Sequence, residues 1–311
     1  MDDLERKKLS WFTLAVMMLL AVFSVTALTA SNDTESEDPN ISGKVVIPPE
    51  GGGGGQESES AEVTAAIIPC KDMIDDGLLQ SIKRRSKKAI DQGASYLIYD
   101  IDTYGGLVIS ADQISEYLIL DAGKKAHTVA FVTTKAVSAG ALISVACKDI
   151  VMVEDTIIGD CAPVTMGAEM KGPEREKAES FIRAIFSRSA KANGYPEALL
   201  RSMVSQRIEV FRVRNTETGE YEFFEKKNLP TDPNAWDLGD TKLIVSENEI
   251  LTLTADKAEE YGIARTIVDD IDGMLDFFEK RDNVVFEGKP EVMEMLWSEQ
   301  MVRWVNSPGV M

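Results

Sequence analysis

The sequence is poor in the residues from which metal centres and disulfide frameworks are built. Among its 311 residues there are one histidine and three cysteines. Cys70, Cys147 and Cys161 are odd in number and lack C-x-x-C spacing, so neither a disulfide framework nor a zinc site is indicated. The single histidine, His127, excludes a site built from several imidazoles. We therefore expect no metal and no cofactor.

Basic residues are also scarce. Lysine and arginine together number 33 against 52 aspartates and glutamates, which gives a formal net charge of −19. The charges before position 31 balance, so the excess of negative charge belongs to the rest of the chain. An acidic surface of this kind argues against nucleic acid or an anionic membrane surface as a main partner.

The N-terminal segment, residues 1–30, carries a membrane signal. Residues 11–30 contain no charge, and their number is close to the roughly 20 residues needed to cross a bilayer core. Basic residues at 6–8 precede this run and acidic residues follow it. That bias places the rest of the chain on the extracytoplasmic (periplasmic) side of the cytoplasmic membrane. The small residues at 27–30 also fit a cleavage site, so a signal anchor and a signal peptide both stay open.

Residues 31–61 have the composition of a flexible linker, because acidic and serine-rich sequence leads into successive glycines at 51–55. The ordered domain is expected over 62–283. Residues 284–311 interleave methionine, valine and tryptophan with glutamate and arginine, which predicts an amphipathic, membrane-proximal segment. It could lie on the bilayer interface, contact a partner or pack against its own domain.

Apolar runs alternate with amphipathic segments through the predicted domain. Strands are predicted over 63–68, 96–101, 128–132 and 150–153, and helices over 77–93, 108–120, 139–147 and 174–193. This rhythm of strand, helix and strand predicts an α/β fold with parallel pairing. Pro69 is expected to end the first strand. The polar, turn-rich residues 208–248 are expected to form an excursion from the core.

Ser138 follows a predicted strand and precedes a helix of small residues. A strand-to-helix turn would expose its hydroxyl beside the positive end of that helix. Gly105 and Gly106 close the strand upstream of it, where bare backbone N–H groups could receive an oxyanion. The combination favours a serine hydrolase. The alternative for the glycine pair is a tight turn with no further role.

Four segments of the chain resemble the NfeD group of membrane-bound serine proteases, relatives of signal peptide peptidase A and of the Clp protease subunit. They are 102–107 (DTYGGL), 136–140 (AVSAG), 158–164 (IGDCAPV) and 251–264 (LTLTADKA with a later GIA). Two features depart from that group. Tyr104 stands where the family often has proline, and longer members continue into transmembrane helices and a small β-barrel beyond the length of this chain.

The resemblance implies a ClpP/crotonase-like domain that acts as an ATP-independent serine endopeptidase and forms a homo-oligomer. Relatives cut apolar segments of membrane proteins, notably stomatin- or prohibitin-like partners. By resemblance, Ser138 and Lys177 would form a Ser–Lys dyad. The N–H groups of Gly106 and Ala139 would bind the oxyanion. Gly105 and Leu107 would contact the substrate.

Lys177 lies in the predicted helix at 174–193, with Phe181 and Ile185 at i+4 and i+8. This spacing predicts that Lys177 shares the inward face, where apolar neighbours would favour the neutral amine that a base requires. The alternative is an ordinary solvated lysine. His127 is expected to be a strand residue and not the base.

Asp102 is expected to form a turn, and Ser144 to be buried in the helix after Ser138. A non-catalytic membrane scaffold of the same fold is one alternative function. A crotonase-like acyl-CoA enzyme is the other, although the extracytoplasmic location and Ser138 argue against it.

Overall fold

The computed structural model describes residues 60–164 and 170–305. The predicted membrane segment at 1–30 and nearly all of the predicted linker lie outside the described residues. Within those residues, no helix combines the length and the apolar character needed to cross a bilayer.

The described chain alternates strands and helices as the sequence predicts. The strands are β1 (Ala61–Val63), β2 (Ala65–Lys71), β3 (Tyr96–Thr103), β4 (His127–Val137), β5 (Asp149–Val153), β6 (Ile157–Gly159), β7 (Val210–Asn215), β8 (Tyr221–Glu225), β9 (Trp236–Val245), β10 (Thr252–Thr254), β11 (Thr266–Val268), β12 (Val284–Phe286) and β13 (Glu291–Val292). The helices are α1 (Asp76–Asp91), α2 (Val108–Leu120), α3 (Ala139–Ser144), α4 (Gly172–Asn193), α5 (Glu197–Ser202), α6 (Ala255–Glu260), α7 (Ile271–Asp282) and α8 (Trp297–Val305).

Eight strands form the central sheet, in the order β10-β6-β4-β3-β2-β13, with β5 and β11 branching from β4. Their pairings are parallel except between β10 and β6. The long strand β4 pairs with β5 through 129–132 and with β6 through 135–137. The predicted α/β fold with a parallel sheet is therefore confirmed.

The central strands read as continuous apolar runs because both of their faces are covered. Leu97 and Tyr99 of β3 point into the main core beneath α1 and α2. Tyr96 and Ile98 point into a second cluster that includes Phe278 of α7. Successive side chains of a strand face opposite sides, so one strand supplies both cores.

The expectation that Pro69 ends the first strand is wrong, because β2 continues through Pro69 to Lys71. On its other side, β2 pairs with β13 only at Ala66 and Ile67. The Pro69 carbonyl accepts a hydrogen bond from the Arg85 side chain (Nη1–O 2.9 Å). Proline is tolerated where no ladder hydrogen bond is required of its nitrogen.

The predicted excursion at 208–248 is a separate three-stranded antiparallel sheet, ordered β8-β7-β9. It has a small apolar cluster of its own, in which Val210 and Val245 pack against Leu199 of α5. Ser138 and the glycine pair follow β4 and β3, so the predicted site lies on the central sheet and not on this smaller one.

The segment after residue 283 packs on the domain. Strand β12 pairs with β1, and β13 adds to the edge of the central sheet beside β2. Helix α8 lies against α1, where Arg84 pairs with Glu299 (Nε–Oε1 2.6 Å). Of the three alternatives drawn from the sequence, packing against the chain's own domain describes one side of this segment.

Candidate active site

Ser138 occupies the turn between β4 and α3. Its φ of 56° and ψ of −120° lie in a region that serine rarely adopts. Holding a non-glycine residue there costs of order 1–3 kcal/mol, and such strain is typical of functional turns. The side chain is half-buried and does not cap α3. The predicted strand-to-helix turn is therefore present, and the Ser138 hydroxyl is not used by the helix.

Neighbouring segments hold the Ser138 backbone in place. Its N–H donates to the carbonyl of Gly159 (N–O 2.9 Å), the last residue of β6. Its carbonyl accepts from the N–H of Ala141 (3.0 Å) and from the thiol of Cys161 (Sγ–O 3.3 Å). Burial raises the pKa of Cys161 well above its ordinary value, so the thiol keeps the proton that it donates. Sequence reasoning missed this role of Cys161.

Gly105 packs directly against the Ser138 side chain. Its φ is +112°, and a Cβ placed on it would lie 2.8 Å from the Ser138 Cβ and 3.1 Å from Oγ. The Gly105 N–H donates to the buried hydroxyl of Thr103 (N–Oγ1 2.9 Å). The turn therefore requires glycine for two reasons, its backbone conformation and its distance from the serine hydroxyl.

Gly106 is backed by Ile74 of the segment before α1. The N–H of Ile74 donates to the Gly105 carbonyl (2.9 Å), and the N–H of Leu107 donates to the Ile74 carbonyl (2.7 Å). Because successive peptide groups of an extended chain point to opposite sides, the Gly106 N–H points away from Ile74. A Cβ on Gly106 would lie 2.1 Å from the Ile74 carbonyl oxygen.

Two backbone N–H groups thus remain available beside the turn. The Gly106 N–H donates to no other described residue. Ala139 is the first residue of α3, where an N–H has no partner within the helix. A pair of unsatisfied backbone donors is the chemical requirement for binding an oxyanion.

The Asp102 side chain belongs to an ion pair and not to a turn, which corrects the sequence expectation. Asp102 lies in β3 and accepts a hydrogen bond from Lys135 of β4 (Nζ–Oδ1 2.6 Å). The same ammonium lies 4.4 Å from the centre of the Tyr104 ring. The hydrogen bond to Asp102 raises the pKa of Lys135, so this lysine stays charged and is not a candidate base.

Exposed apolar side chains flank the glycine turn. Tyr104 is 79% exposed, Leu107 48% and Ile109 58%. Leu107 precedes the first turn of α2, and it contacts Ile74 through its backbone N–H while its side chain is exposed. The glycine turn beside Ser138 therefore carries exposed apolar side chains, although the chain as a whole is strongly acidic.

Lys177 does not share the inward face of α4, so that part of the sequence argument is wrong. Its side chain is exposed, as is that of Phe181, whereas Ile185 is buried. The buried stripe of α4 instead follows these residues: Glu179, Ile182, Ile185, Phe186, Ser189 and Ala190. Among residues 60–164 and 170–305, the Lys177 ammonium makes no hydrogen bond or ion pair. Its role as a base stays a prediction.

His127 is a strand residue, as expected. It begins β4, and its Nε2 lies 2.7 Å from Oδ2 of Asp149. The strand rises about 3.3 Å per residue, so His127 lies roughly 35 Å from Ser138. Ser144 is fully buried, also as expected, and its hydroxyl donates to the Gly140 carbonyl (2.8 Å).

Solved structures with this fold include the 1510-N membrane-bound stomatin-specific protease. A lysine-to-alanine variant in complex with a substrate peptide is 16% identical with a TM-score of 0.56, covering 79% of this chain and 98% of that one. A serine-to-alanine variant is 17% identical with a TM-score of 0.53, covering 76% and 99%. The protease from Pyrococcus horikoshii, described as specific for a stomatin homolog, is 15% identical with a TM-score of 0.50, covering 79% and 100%.

A curated relative and a family model match the sequence itself. The membrane protein NfeD1b of Bacillus subtilis (strain 168) is 24% identical over 255 residues, which are 81% of this chain. They are 48% of that protein, so the chain spans about half the length of this relative. The model of the NfeD1b N-terminal domain matches residues 64–228, a range that includes Ser138 and the glycine pair. The resemblance found in the sequence is thereby confirmed, and the chain belongs to the NfeD1b family.

Proposed function

We propose that this chain is an ATP-independent serine endopeptidase in which Ser138 is the nucleophile. The observation that carries the proposal is the turn itself. A strained serine backbone presents a hydroxyl that does not cap its helix, against the bare Cα of Gly105. The unsatisfied N–H groups of Gly106 and Ala139 flank it.

In this mechanism the Ser138 Oγ attacks the peptide carbonyl, and the carbonyl oxygen becomes an anion. Gly106 and Ala139 would each donate one N–H to it, and a single donor of this kind contributes about 2.7–4 kcal/mol to transition-state stabilisation. The amine leaves with a proton, and water then hydrolyses the acyl-enzyme. The extended residues around Gly105 and Leu107 would contact the peptide.

Lys177 would be the base that accepts the Ser138 proton and passes it to the leaving amine. It lies near the start of α4, the first helix after Ser138 and α3. The solved relatives include a serine-to-alanine variant and a lysine-to-alanine variant bound to a substrate peptide. A lysine base must be neutral, which generally requires desolvation. The proposal therefore includes that the bound peptide, or a second copy of the chain in a homo-oligomer, covers the exposed Lys177.

The substrates would be apolar segments of membrane-associated proteins, including stomatin- or prohibitin-like partners. Tyr104, Leu107 and Ile109 supply an apolar surface beside the nucleophile. The 1510-N relatives are described as stomatin-specific, and the curated relative as a membrane protein. The domain would act on the periplasmic side of the cytoplasmic membrane.

A serine-reactive fluorophosphonate probe tests the nucleophile. We expect the full-length wild type to be labelled, with the adduct on the Ser138 peptide in mass spectrometry. Ser138→Ala should not react, whereas Ser180→Ala, which removes an exposed serine of α4, should react like wild type. Absence of labelling in the wild type would favour the non-catalytic scaffold.

Gly105→Ala tests the geometry of the turn. The added methyl would lie within 3.1 Å of the Ser138 hydroxyl, so we expect peptide cleavage to fall roughly 10²-fold. Gly93→Ala is the matched control, because Gly93 has a similar φ of +96° and nothing within 4 Å of its added methyl. Both variants carry the cost of a positive φ. Equal kcat/KM in the two variants would contradict the assigned geometry.

A further inference from the structure

Helix α8 attaches to the domain through its polar side. Glu299 accepts hydrogen bonds from Arg84 (Nε–Oε1 2.6 Å) and from Ser81 (Oγ–Oε2 3.0 Å) of α1. One turn later, Arg303 pairs with Asp75 (Nε–Oδ2 3.2 Å). The hydrogen bond from Arg84 lowers the pKa of Glu299 to about 2, so its carboxylate stays charged at neutral pH. The two charged residues of this helix are therefore both used within the domain.

The opposite side of α8 is apolar and exposed. Trp297, Met301 and Trp304 follow one another at i, i+4 and i+7, and their exposed fractions are 76%, 55% and 65%. At 3.6 residues per turn, this stripe lies roughly 100–160° around the helix from Glu299 and Arg303. A helix that covers only its own domain turns its apolar side inward. This helix does the reverse.

We propose that the apolar face of α8, formed by Trp297, Met301, Trp304 and the exposed Val305, rests on the surface of a lipid bilayer rich in neutral headgroups. Tryptophan is enriched at the membrane–water interface, where its ring is apolar and its N–H remains hydrated. The two charged residues of α8, Glu299 and Arg303, bind Arg84 and Asp75 on the other side of the helix. Only uncharged side chains of this face would therefore contact the acyl chains. Because the chain carries a net charge of −19, neutral headgroups suit it better than anionic ones.

If another segment of the chain holds the domain at the membrane, a contact as small as the α8 face is sufficient for docking. A signal anchor at residues 11–30, one of the two alternatives for that segment, would hold the same chain at the bilayer, and a second, weak contact would then form at a high effective concentration. The residues at 31–60 can extend roughly 100 Å at about 3.3 Å per residue, which is enough to let α8 reach the surface. The curated relative, a membrane protein, is consistent with this occupant.

The contact would also orient the proposed active site. Arg303 donates to the Met73 carbonyl (Nη2–O 2.6 Å), and the next residue, Ile74, backs Gly106. Helix α8 therefore lies at the end of the central sheet where β2, β3 and β4 terminate and where Ser138 is found. Docking of α8 does not depend on catalysis. Its benefit rests on the proposed protease function, since docking would bring Ser138 close to segments that emerge from the bilayer.

Depth-dependent quenching of tryptophan fluorescence tests the docking. The full chain with Trp11→Phe and Trp236→Phe, reconstituted in phosphatidylcholine vesicles, keeps Trp297 and Trp304 as reporters. We expect blue-shifted emission that phosphatidylcholine with brominated acyl chains quenches. The matched control keeps Trp236 as its one tryptophan and should not be quenched. Ser138→Ala added to the reporter chain should change nothing, so loss of proteolysis and loss of docking are distinguishable.

The same fluorescence measurement has outcomes that would contradict the proposal. Unquenched emission at every vesicle concentration would overturn the proposal. Cross-linking of copies carrying Met301→Cys, with no quenching by brominated lipid, would assign the face to a second copy instead. Quenching that grows as phosphatidylglycerol replaces phosphatidylcholine would overturn the preference for a neutral surface. Weaker quenching in that mixture, restored by salt, would support it.

Discussion

Replacing Ser138 by alanine is expected to lower kcat/KM for an apolar peptide at least about 10³-fold, because covalent catalysis is lost with the hydroxyl. The fold should persist, since the Ser138 backbone hydrogen bonds remain and the hydroxyl that is removed does not cap α3. Lys177→Ala should lose nearly as much. Lys177→Arg should not restore activity, because a guanidinium stays protonated at any working pH.

Matched variants decide whether Lys177 is the base. Lys191→Ala removes another exposed lysine of α4 and should retain wild-type kcat/KM. His127→Ala should retain most activity when it is measured below its unfolding temperature, since His127 lies at the far end of β4. A variant series in which His127→Ala is inactive and Lys177→Ala is active would reject the Ser–Lys dyad.

Replacing Asp149 by alanine is expected to lower the free energy of unfolding by about 3 kcal/mol. The Asp149 side chain is 5% exposed and accepts from His127 (2.7 Å), Arg265 (2.8 Å) and Arg281 (2.7 Å). It joins the start of β5 to β4, to the residue before β11 and to α7. Removing it leaves Arg265 without its carboxylate partner, whereas Arg281 keeps Asp282 (Nε–Oδ1 2.7 Å), and partial exposure of both arginines limits the cost.

Urea unfolding of the described domain within the full chain would measure this loss. Asp91→Ala is the matched control, because Asp91 pairs with Lys87 at an exposed site and should change stability by less than about 0.5 kcal/mol. If Asp149→Ala were as stable as Asp91→Ala, the charged cluster would contribute no net stability.

The contribution of Asp149 should depend on pH in one direction. Burial alone would raise the pKa of Asp149, but hydrogen bonds from His127, Arg265 and Arg281 outweigh it and hold the pKa well below its ordinary value. A depressed folded-state pKa stabilises the protein fully above the unfolded-state value of about 3.9, and the contribution is lost as pH falls below it. The stability difference between wild type and Asp149→Asn should therefore shrink from pH 7 to pH 3.

The sequence predicts well those elements whose pattern is dictated by local burial. Helix α2 has the predicted bounds, Val108–Leu120, and the turn at Ser138 lies between a strand and a helix as expected. Strands buried on both faces appear as apolar runs, so their order along the chain is readable without knowledge of their partners.

The phase of α4 could not be predicted in this way. Sequence reasoning places glutamate toward solvent, yet Glu179 is 3% exposed. Its carboxylate accepts from Arg175 (2.7 Å) and from Ser205 (2.7 Å), a residue beyond α5. Because this distant serine satisfies the buried oxygen, the helix turns Glu179 inward and Lys177 outward. The pairing of Ile74 with Gly106 could not be predicted either, because it joins two segments that are distant in the sequence and no local pattern indicates it.

The order of strands in the sheet differs from the order in which a ribosome makes them. Strand β2 is among the first segments of the domain to be synthesised, but its outer neighbour β13 is among the last. The partner of β1 is likewise the late strand β12. Until residues 284–292 emerge, the early strands keep an open edge, and an open edge is a site of wrong pairing. The sheet edges beside β1 and β2 are therefore closed only after residue 292 has been made.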